Sequence, residues 1–162
     1  MSMRSAQVLY ATITLISLVT VASLSVSYIE FWKCVTNIDL SVSHIEISPI
    51  QSEATEVDQV TIDITFDLTN PTSYHELKAR NLYYQINLNS KELGRETIFI
   101  DTEINPYSNK IIFARIELTD VKGEQLILLK NPSQLVWQVA CVLKLDGLLG
   151  ETRRTFYLSY AA

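Results

Sequence analysis

One short segment of the sequence has polar side chains spaced like metal ligands. Asp101, Glu103 and Asn105 place oxygen atoms at every second residue, as at the start of a calcium-binding loop. Pro106 stands where such a loop needs glycine, and no glutamate follows at the twelfth position. The segment is therefore only a weak candidate metal site, and we expect the chain to bind no cofactor.

The residue types of common catalytic centres are present, but their spacing does not favour catalysis. His44 and His75 have no cysteine or histidine at zinc-ligand spacing. Ser43 precedes His44, yet no Gly-x-Ser-x-Gly or comparable nucleophile context surrounds it. We predict no catalytic residues, and a protein that is not an enzyme.

Two cysteines allow at most one disulfide bond. Cys141 alternates with apolar residues of a predicted strand, which favours a buried thiol. Cys34 follows directly after a hydrophobic segment, where it is open to three interpretations: a free thiol, a lipid-modified thiol on the cytoplasmic side, or a thiol paired with a second chain outside.

Exposed tyrosines are the residues that best suit a binding surface, since tyrosine is favoured at protein interfaces. The candidates lie in predicted loops and on predicted polar faces: Tyr74, Tyr83, Tyr107, Tyr157 and Tyr160.

The elements that carry these residues follow an uncharged N-terminal segment. Residues 5–29 contain no charge, and a helix over residues 6–29 would be roughly 36 Å long, enough to cross a bilayer core of about 30 Å. Tyr28, Phe31, Trp32 and Lys33 resemble an aromatic belt with a cation at the membrane surface. We therefore predict that residues 1–33 form a cytoplasmic tail and a single transmembrane helix, which contacts the lipid bilayer through residues 5–32.

The orientation of this segment follows from the few charges beside it. Arg4 and the amino terminus make the N-terminal side the more positive one, so we place it in the cytoplasm and residues 34–162 outside the cell membrane. A secretory signal cleaved near Ala22 is the alternative. Hydroxyl side chains along the segment either bond to carbonyls of the same helix or line a contact with another helix. They are Thr12, Thr14, Ser17, Thr20, Ser23, Ser25 and Ser27.

The charges of the chain are concentrated after this segment. Of 13 Lys+Arg and 18 Asp+Glu residues, only Arg4 and Glu30 precede Lys33. This mildly acidic remainder excludes a nucleic-acid binder that relies on a basic field, so we expect no nucleic-acid partner. One hydrophobic segment also excludes a multi-span transporter, and 48% hydrophobic residues exclude a disordered chain.

Residues 34–162 follow the period of two that is typical of half-buried strands. Residues 60–68 alternate apolar and polar side chains without a fault. Similar runs bring the number of predicted strands to seven; they cover residues 40–47, 82–88, 97–101, 110–118, 135–145 and 155–160. The apolar phase shifts around His44, which predicts a β-bulge.

Turn residues separate the predicted strands. Three Asn-Pro pairs, at residues 70–71, 105–106 and 131–132, mark corners. Residues 89–94 and 146–150 suit hairpin loops, and residues 121–130 suit one short helix. The predicted fold is all-β: a seven-stranded antiparallel two-sheet β-sandwich with one short helix, preceded by the transmembrane helix.

Several residues of the sandwich carry a resemblance to a known family. One predicted strand ends at Asn70 and Pro71. The next predicted strand starts with Leu82, Tyr83 and Tyr84, and later predicted loops contain Gly94 and Gly147. In this order the segment resembles the late embryogenesis abundant type 2 family, or WHy domain, over roughly residues 39–160. The resemblance implies a seven-stranded sandwich, often behind a membrane anchor, in proteins linked to desiccation and stress tolerance and not known as enzymes.

Two functions remain open from the sequence. The first is a membrane-anchored, non-catalytic, extracytoplasmic β-sandwich that protects against stress or binds a protein or surface. The second is a structural subunit of an envelope assembly, pilin-like or filament-stator-like, that packs through its N-terminal hydrophobic helix.

Overall fold

The computed structural model describes residues 3–48, 57–121, 136–147 and 150–161. Within these ranges one helix, α1 (Met3–Asn37), precedes seven strands. The strands are β1 (Asp39–Ile47), β2 (Val57–Asn70), β3 (Leu77–Leu88), β4 (Lys91–Ile104), β5 (Ser108–Val121), β6 (Val136–Gly147) and β7 (Gly150–Ala161). The sequence predicts a short helix over residues 121–130. Residue 121 is the last residue of β5, and residues 122–130 lie outside the described residues.

The strands form two antiparallel sheets, which confirms the predicted all-β sandwich. One sheet has the order β1-β2-β5 and the other the order β4-β3-β6-β7. In β2 the residues from Val60 to Leu68 alternate between buried and half-buried, as the period of two predicts. The predicted bulge in β1 is confirmed, because the pairing register with β2 shifts between Val42 and His44.

The side chain of Tyr84 connects the inner faces of the two sheets. Tyr84 of β3 is fully buried, and its hydroxyl donates a hydrogen bond to the carbonyl oxygen of Arg115 in β5, at 2.9 Å. Its ring meets the ring of Phe66 edge-on, with the centroids 5.8 Å apart. Burial strongly raises the pKa of this phenol, so it remains a neutral donor.

The hairpin between β3 and β4 is tighter than the sequence predicts. Instead of a loop over residues 89–94, only Asn89 and Ser90 separate the strands, and both have positive φ, 49° and 67°. Two such residues form the turn whose twist matches that of the flanking strands. Strand β4 therefore starts at Lys91 and is much longer than the predicted run of residues 97–101.

Helix α1 is long and apolar enough to cross a membrane, and its most apolar 18-residue stretch has a mean hydropathy of 1.9. Its large apolar side chains from Val8 to Ile29 are exposed in the isolated chain. Thr12, Thr14, Thr20 and Ser25 each donate a hydrogen bond to the carbonyl four residues earlier, so these hydroxyls are satisfied inside the helix.

The positive φ of Ser90 leads to a stability prediction. Ser90→Gly removes the steric cost of the left-handed conformation and should raise the free energy of unfolding by about 0.5–1 kcal/mol. Denaturant unfolding of the full chain in detergent, followed by fluorescence of the buried Trp137, measures it. Ser159→Gly, at an exposed site in strand β7, is the control and should lower stability by a similar amount.

Candidate functional site at the junction of helix and sandwich

The last turns of α1 do not form a linker but enter the core of the sandwich. Phe31, Cys34, Val35 and Ile38 are buried, with at most 5% of their surface exposed. The helix itself runs to Asn37, so it continues past the predicted end of the membrane segment at residue 33. We call the contact between residues 31–38 and the end of the sandwich the junction.

The hub of the junction is Asn70, the last residue of β2. It is fully buried, and its side-chain oxygen accepts hydrogen bonds from the Thr72 backbone N–H at 3.0 Å, the Thr72 hydroxyl at 2.7 Å and the Cys34 thiol at 3.3 Å. Its side-chain nitrogen donates to the carbonyls of Tyr74 at 3.0 Å and Asn105 at 3.3 Å. One amide thus connects the helix to both loops beside it.

The local reason for this arrangement is the Asn70-Pro71 pair. Proline disfavours helical backbone at the residue before it, and an asparagine there can bond to the backbone two residues ahead. The bond from Thr72 N to the Asn70 side chain is this predicted turn. Pro71 itself is exposed, so it shapes the corner without packing in the core.

Aromatic packing forms a second part of the junction. The rings of Phe31 and Tyr74 meet edge-on, with centroids 5.7 Å apart. Gly147, at the end of β6, leaves the space for Phe31: a Cβ atom there would lie 2.5 Å from the Phe31 ring and 3.0 Å from the Tyr74 hydroxyl. Tyr74 is 4% exposed, so our prediction of it as an exposed binding tyrosine is wrong, because its ring packs on the helix.

An arginine of β7 binds the end of the helix. The Arg154 guanidinium donates a hydrogen bond to the Val35 carbonyl oxygen at 2.5 Å and stacks 5.0 Å from the Phe156 ring centroid. Carbonyls in the last turn of a helix lack helical partners and carry partial negative charge, which a cation stabilises. Arg154 therefore satisfies a backbone acceptor that the junction removes from water.

An ionic cluster lies beside the junction on the outer face of the four-stranded sheet. The pairing register shifts between Ala79 and Asn81, on either side of Arg80, which binds both Asp101 and Asp146. Lys78 adds an ion pair to Asp101 at 3.1 Å. Two cations thus face two carboxylates. Of these four residues, Lys78, Arg80 and Asp146 line an open groove of about 370 Å³ together with Glu76, Gly147, Gly150 and Glu151.

This cluster occupies part of the candidate metal site. The Asp101 carboxylate is bound by two cations, and hydrogen bonds from Lys78 and Arg80 hold its pKa below the usual value. Glu103 is exposed, and the backbone carbonyl of Asn105 accepts bonds from Asn70 and Ser108. Among the residues that the structure describes, no three His, Cys, Asp or Glu side chains are grouped as metal ligands.

Both cysteines are free and fully buried. Burial raises the pKa of the Cys141 thiol to about 12. Burial also raises the pKa of the Cys34 thiol, against an opposing hydrogen bond from Thr72. A buried Cys34 that bonds to Asn70 fits the free-thiol interpretation among the three that the sequence leaves open.

The remaining residues of the family resemblance serve the core. Leu82 and Tyr84 point into the sandwich, while Tyr83 lies half-buried on the outer face. Gly94 of β4 lies against Ile116 of β5, where an added Cβ would come within 2.9 Å of the side chain. These positions therefore specify packing.

Exposed aromatic side chains lie on the outer faces of both sheets. Phe99 and Tyr157, on the two edge strands of the four-stranded sheet, are 80% and 84% exposed, and Phe113 of β5 is 74% exposed. Tyr107, in the loop between β4 and β5, is 73% exposed, whereas Tyr160 is half-buried against the core.

Sequence reasoning missed the residues that join helix and sandwich. Phe31 lies just after the apolar segment, and the sequence does not distinguish it from the neighbouring exposed aromatics Tyr28 and Trp32. Arg154 is one of two adjacent arginines in an alternating strand, so the sequence gives no sign of its partner. The sequence does contain one signal for the helix residues of the junction, which is their helical spacing. The i, i+3, i+4, i+7 positions of one buried helix face are occupied by Phe31, Cys34, Val35 and Ile38.

The fold and its junction define a β-sandwich that is continuous with a long apolar helix. No protein-family model and no curated protein matches the chain. Among solved structures, an Arabidopsis thaliana protein solved in solution is 12% identical with a TM-score of 0.57, and the match covers 75% of this chain and 78% of that one.

Two further solved structures are similar to this chain. An X-ray structure of a structural genomics target is 14% identical with a TM-score of 0.51, covering 76% of this chain and 86% of that one. A solution structure described as a late embryogenesis abundant protein is 12% identical with a TM-score of 0.49, covering 95% and 86%. At these identities the first two matches show a shared fold and say nothing about activity.

The Asn70 hub leads to a prediction on stability. Asn70→Ala leaves buried donors and acceptors without partners and should lower the free energy of unfolding by about 2–4 kcal/mol. It should also speed alkylation of Cys34 in the folded protein. Asn109→Ala, at an exposed site in β5, is the control; equal effects of the two changes would contradict the role of Asn70.

The ionic cluster leads to a prediction on acid stability. The pKa of the Asp101 carboxyl group is lower in the folded chain than in the unfolded chain. The ionised carboxylate therefore stabilises the fold fully above the unfolded pKa of about 3.9, and this stabilisation is lost as pH falls through the folded pKa. Asp101→Asn should therefore reduce the loss of stability between about pH 6 and about pH 2.5 in denaturant unfolding. Asn109→Ala, an exposed change that removes no titratable group, is the control and should keep the full loss.

Proposed function

We propose that the protein is a membrane-anchored, non-catalytic β-sandwich whose domain lies outside the cytoplasm and acts in stress protection or as a protein- or surface-binding module. The observation that carries this proposal is the continuity of α1: one helix has an exposed apolar part from Val8 to Ile29 and a buried part from Phe31 onward.

The junction favours a retained anchor over a cleaved signal sequence. Cleavage near Ala22 would leave the second half of α1 attached to the core through Phe31 and Cys34. The exposed apolar side chains that remain, among them Leu24, Val26 and Ile29, would then face water. Insertion of the whole helix into a bilayer buries these side chains.

The chemistry of the described surface supports a binding role over catalysis. In the ionic cluster, Lys78, Arg80, Asp101 and Asp146 neutralise one another, so none is poised as a general acid or base. The nucleophilic side chains Cys34 and Cys141 are buried, with raised pKa values. The exposed rings of Phe99, Tyr157 and Phe113 instead offer contact area on the two sheet faces.

The stress-related part of the proposal rests on the resemblance to the late embryogenesis abundant type 2 family. The structure gives its residues a physical role that suits a scaffold: Asn70 ends β2 and organises a corner, and Gly147 admits the helix. The seven-stranded sandwich is the fold that this resemblance implies.

A charge placed in the helix tests the anchor. Leu18→Arg puts a cation near the centre of the apolar segment, at a cost of about 2.5–3.5 kcal/mol for insertion, and should reduce the fraction of protein that remains in membranes after alkaline extraction. Phe99→Arg, at an exposed apolar site on the sandwich, is the matched control and should leave membrane retention unchanged.

Protease treatment of intact cells that express the wild-type chain tests the orientation. Protease added to intact cells should digest the wild-type sandwich if it lies outside, since the positive end of α1 stays inside. Protection of the sandwich until the membrane is broken would contradict the extracytoplasmic location. Extraction of the wild-type chain by alkali alone would contradict the anchor itself.

A further inference from the structure

We propose that the end of the sandwich at the junction is seated in the headgroup layer of the bilayer, with Tyr107 and the loop of residues 71–76 in contact with zwitterionic phospholipid headgroups. This inference rests on the proposed membrane anchor and goes beyond it, because an anchored domain on a flexible linker would make no such contact.

The exposed apolar part of α1 is about as long as a bilayer core is thick. The exposed apolar part of α1, from Val8 to Ile29, spans about 32 Å at about 1.5 Å per residue, and a bilayer hydrocarbon core is about 30 Å thick. The apolar segment therefore has almost no excess length. Glu30, the next residue, marks the level at which the helix leaves the hydrocarbon.

The sandwich begins immediately after the apolar part of the helix. Phe31, one residue after Glu30, contacts Tyr74 and Gly147, which belong to the loop after β2 and the end of β6. The junction end of the sandwich thus lies within one helical turn of the hydrocarbon boundary. The headgroup regions add about 5–8 Å on each side of a bilayer, so these loops fall inside that layer.

The junction end of the sandwich presents an exposed tyrosine. Tyr107 lies in the loop between β4 and β5, which is held at the junction end because its backbone N–H bonds to the Thr72 carbonyl at 3.1 Å. The Tyr107 side chain is 73% exposed, and its φ of 50° is fixed in a tight turn. An apolar ring with a polar hydroxyl is the kind of side chain that concentrates at membrane surfaces.

The ion pairs at the junction end of the sandwich indicate which lipid headgroup it contacts. The ionic cluster of Lys78, Arg80, Asp101 and Asp146 is neutral, and Lys144 pairs with Glu151 at 2.7 Å. With no surplus of cations in these pairs, attraction to anionic lipid is not the basis of the contact. The surface suits phosphatidylcholine, whose headgroup offers both charges, and the contact should be insensitive to salt.

The experiment measures depth with labelled full-length protein in phosphatidylcholine nanodiscs. A fluorophore is attached to Tyr107→Cys or His75→Cys at the junction end, to Ser90→Cys at the far hairpin, or to Val19→Cys in the helix. The native thiols, Cys34 and Cys141, are buried. Nitroxides on the lipid headgroup or on the acyl chain serve as quenchers, each at low and high salt.

Strand β4 separates the two ends of the sandwich by about 43 Å at about 3.3 Å per residue, so the positions are well resolved. We expect headgroup nitroxides to remove most of the fluorescence at positions 107 and 75 at both salt concentrations and none at position 90. Acyl-chain nitroxides should quench position 19.

Other patterns of quenching would contradict the headgroup contact, the choice of lipid or the anchor. Quenching at position 19 without quenching at 107 and 75 would overturn the headgroup contact and leave the anchor intact. Quenching at 107 and 90 alike would also overturn it, since the sandwich would lie flat. Loss of quenching at high salt would overturn the choice of a zwitterionic headgroup. No quenching at position 19 would overturn the anchor and with it the headgroup contact.

Discussion

The position of the helix on the sandwich depends on one buried side-chain amide, that of Asn70. A buried polar group is costly unless it is fully hydrogen-bonded, and Asn70 makes five bonds that reach Cys34, Thr72, Tyr74 and Asn105. These bonds can form together only when the helix end and both loops take one relative position. Apolar contacts around Phe31 add stability, but the geometry of the amide network adds the directional constraint.

A fixed junction changes what the two parts of the chain can do. Separate units joined by a flexible linker would move independently, whereas here Arg154 and Asn70 hold the helix from two sides. If the exposed part of α1 is embedded in a bilayer, as we propose, the sandwich has a defined end toward the membrane and a defined end away from it. The aromatic faces that carry Phe99 and Phe113 are then presented sideways, where they can meet partners above the membrane surface.

The sequence predicts the strands well because their signal is local. Alternation in residues 60–68, the phase shift at His44 and the corner at Asn70-Pro71 each depend on neighbours in the chain, and the structure confirms all three. The junction depends on long-range contacts, such as those of Arg154 with Val35 and of Cys34 with Asn70, which leave no local pattern. For the same reason Tyr74 was misread as exposed, and the positive φ of Ser90 was hidden in a longer predicted loop.

The distance between the helix and the sandwich tests the rigid junction most directly. Spin labels at Tyr10 of α1 and at Tyr157 of β7, both exposed, report this distance by pulsed electron resonance on the full chain in nanodiscs. A rigid junction predicts a single narrow distance distribution that broadens on Gly147→Ala, because the added Cβ displaces Phe31. A broad distribution in the unmodified junction would contradict the account, since it would show that residues 31–38 act as a hinge.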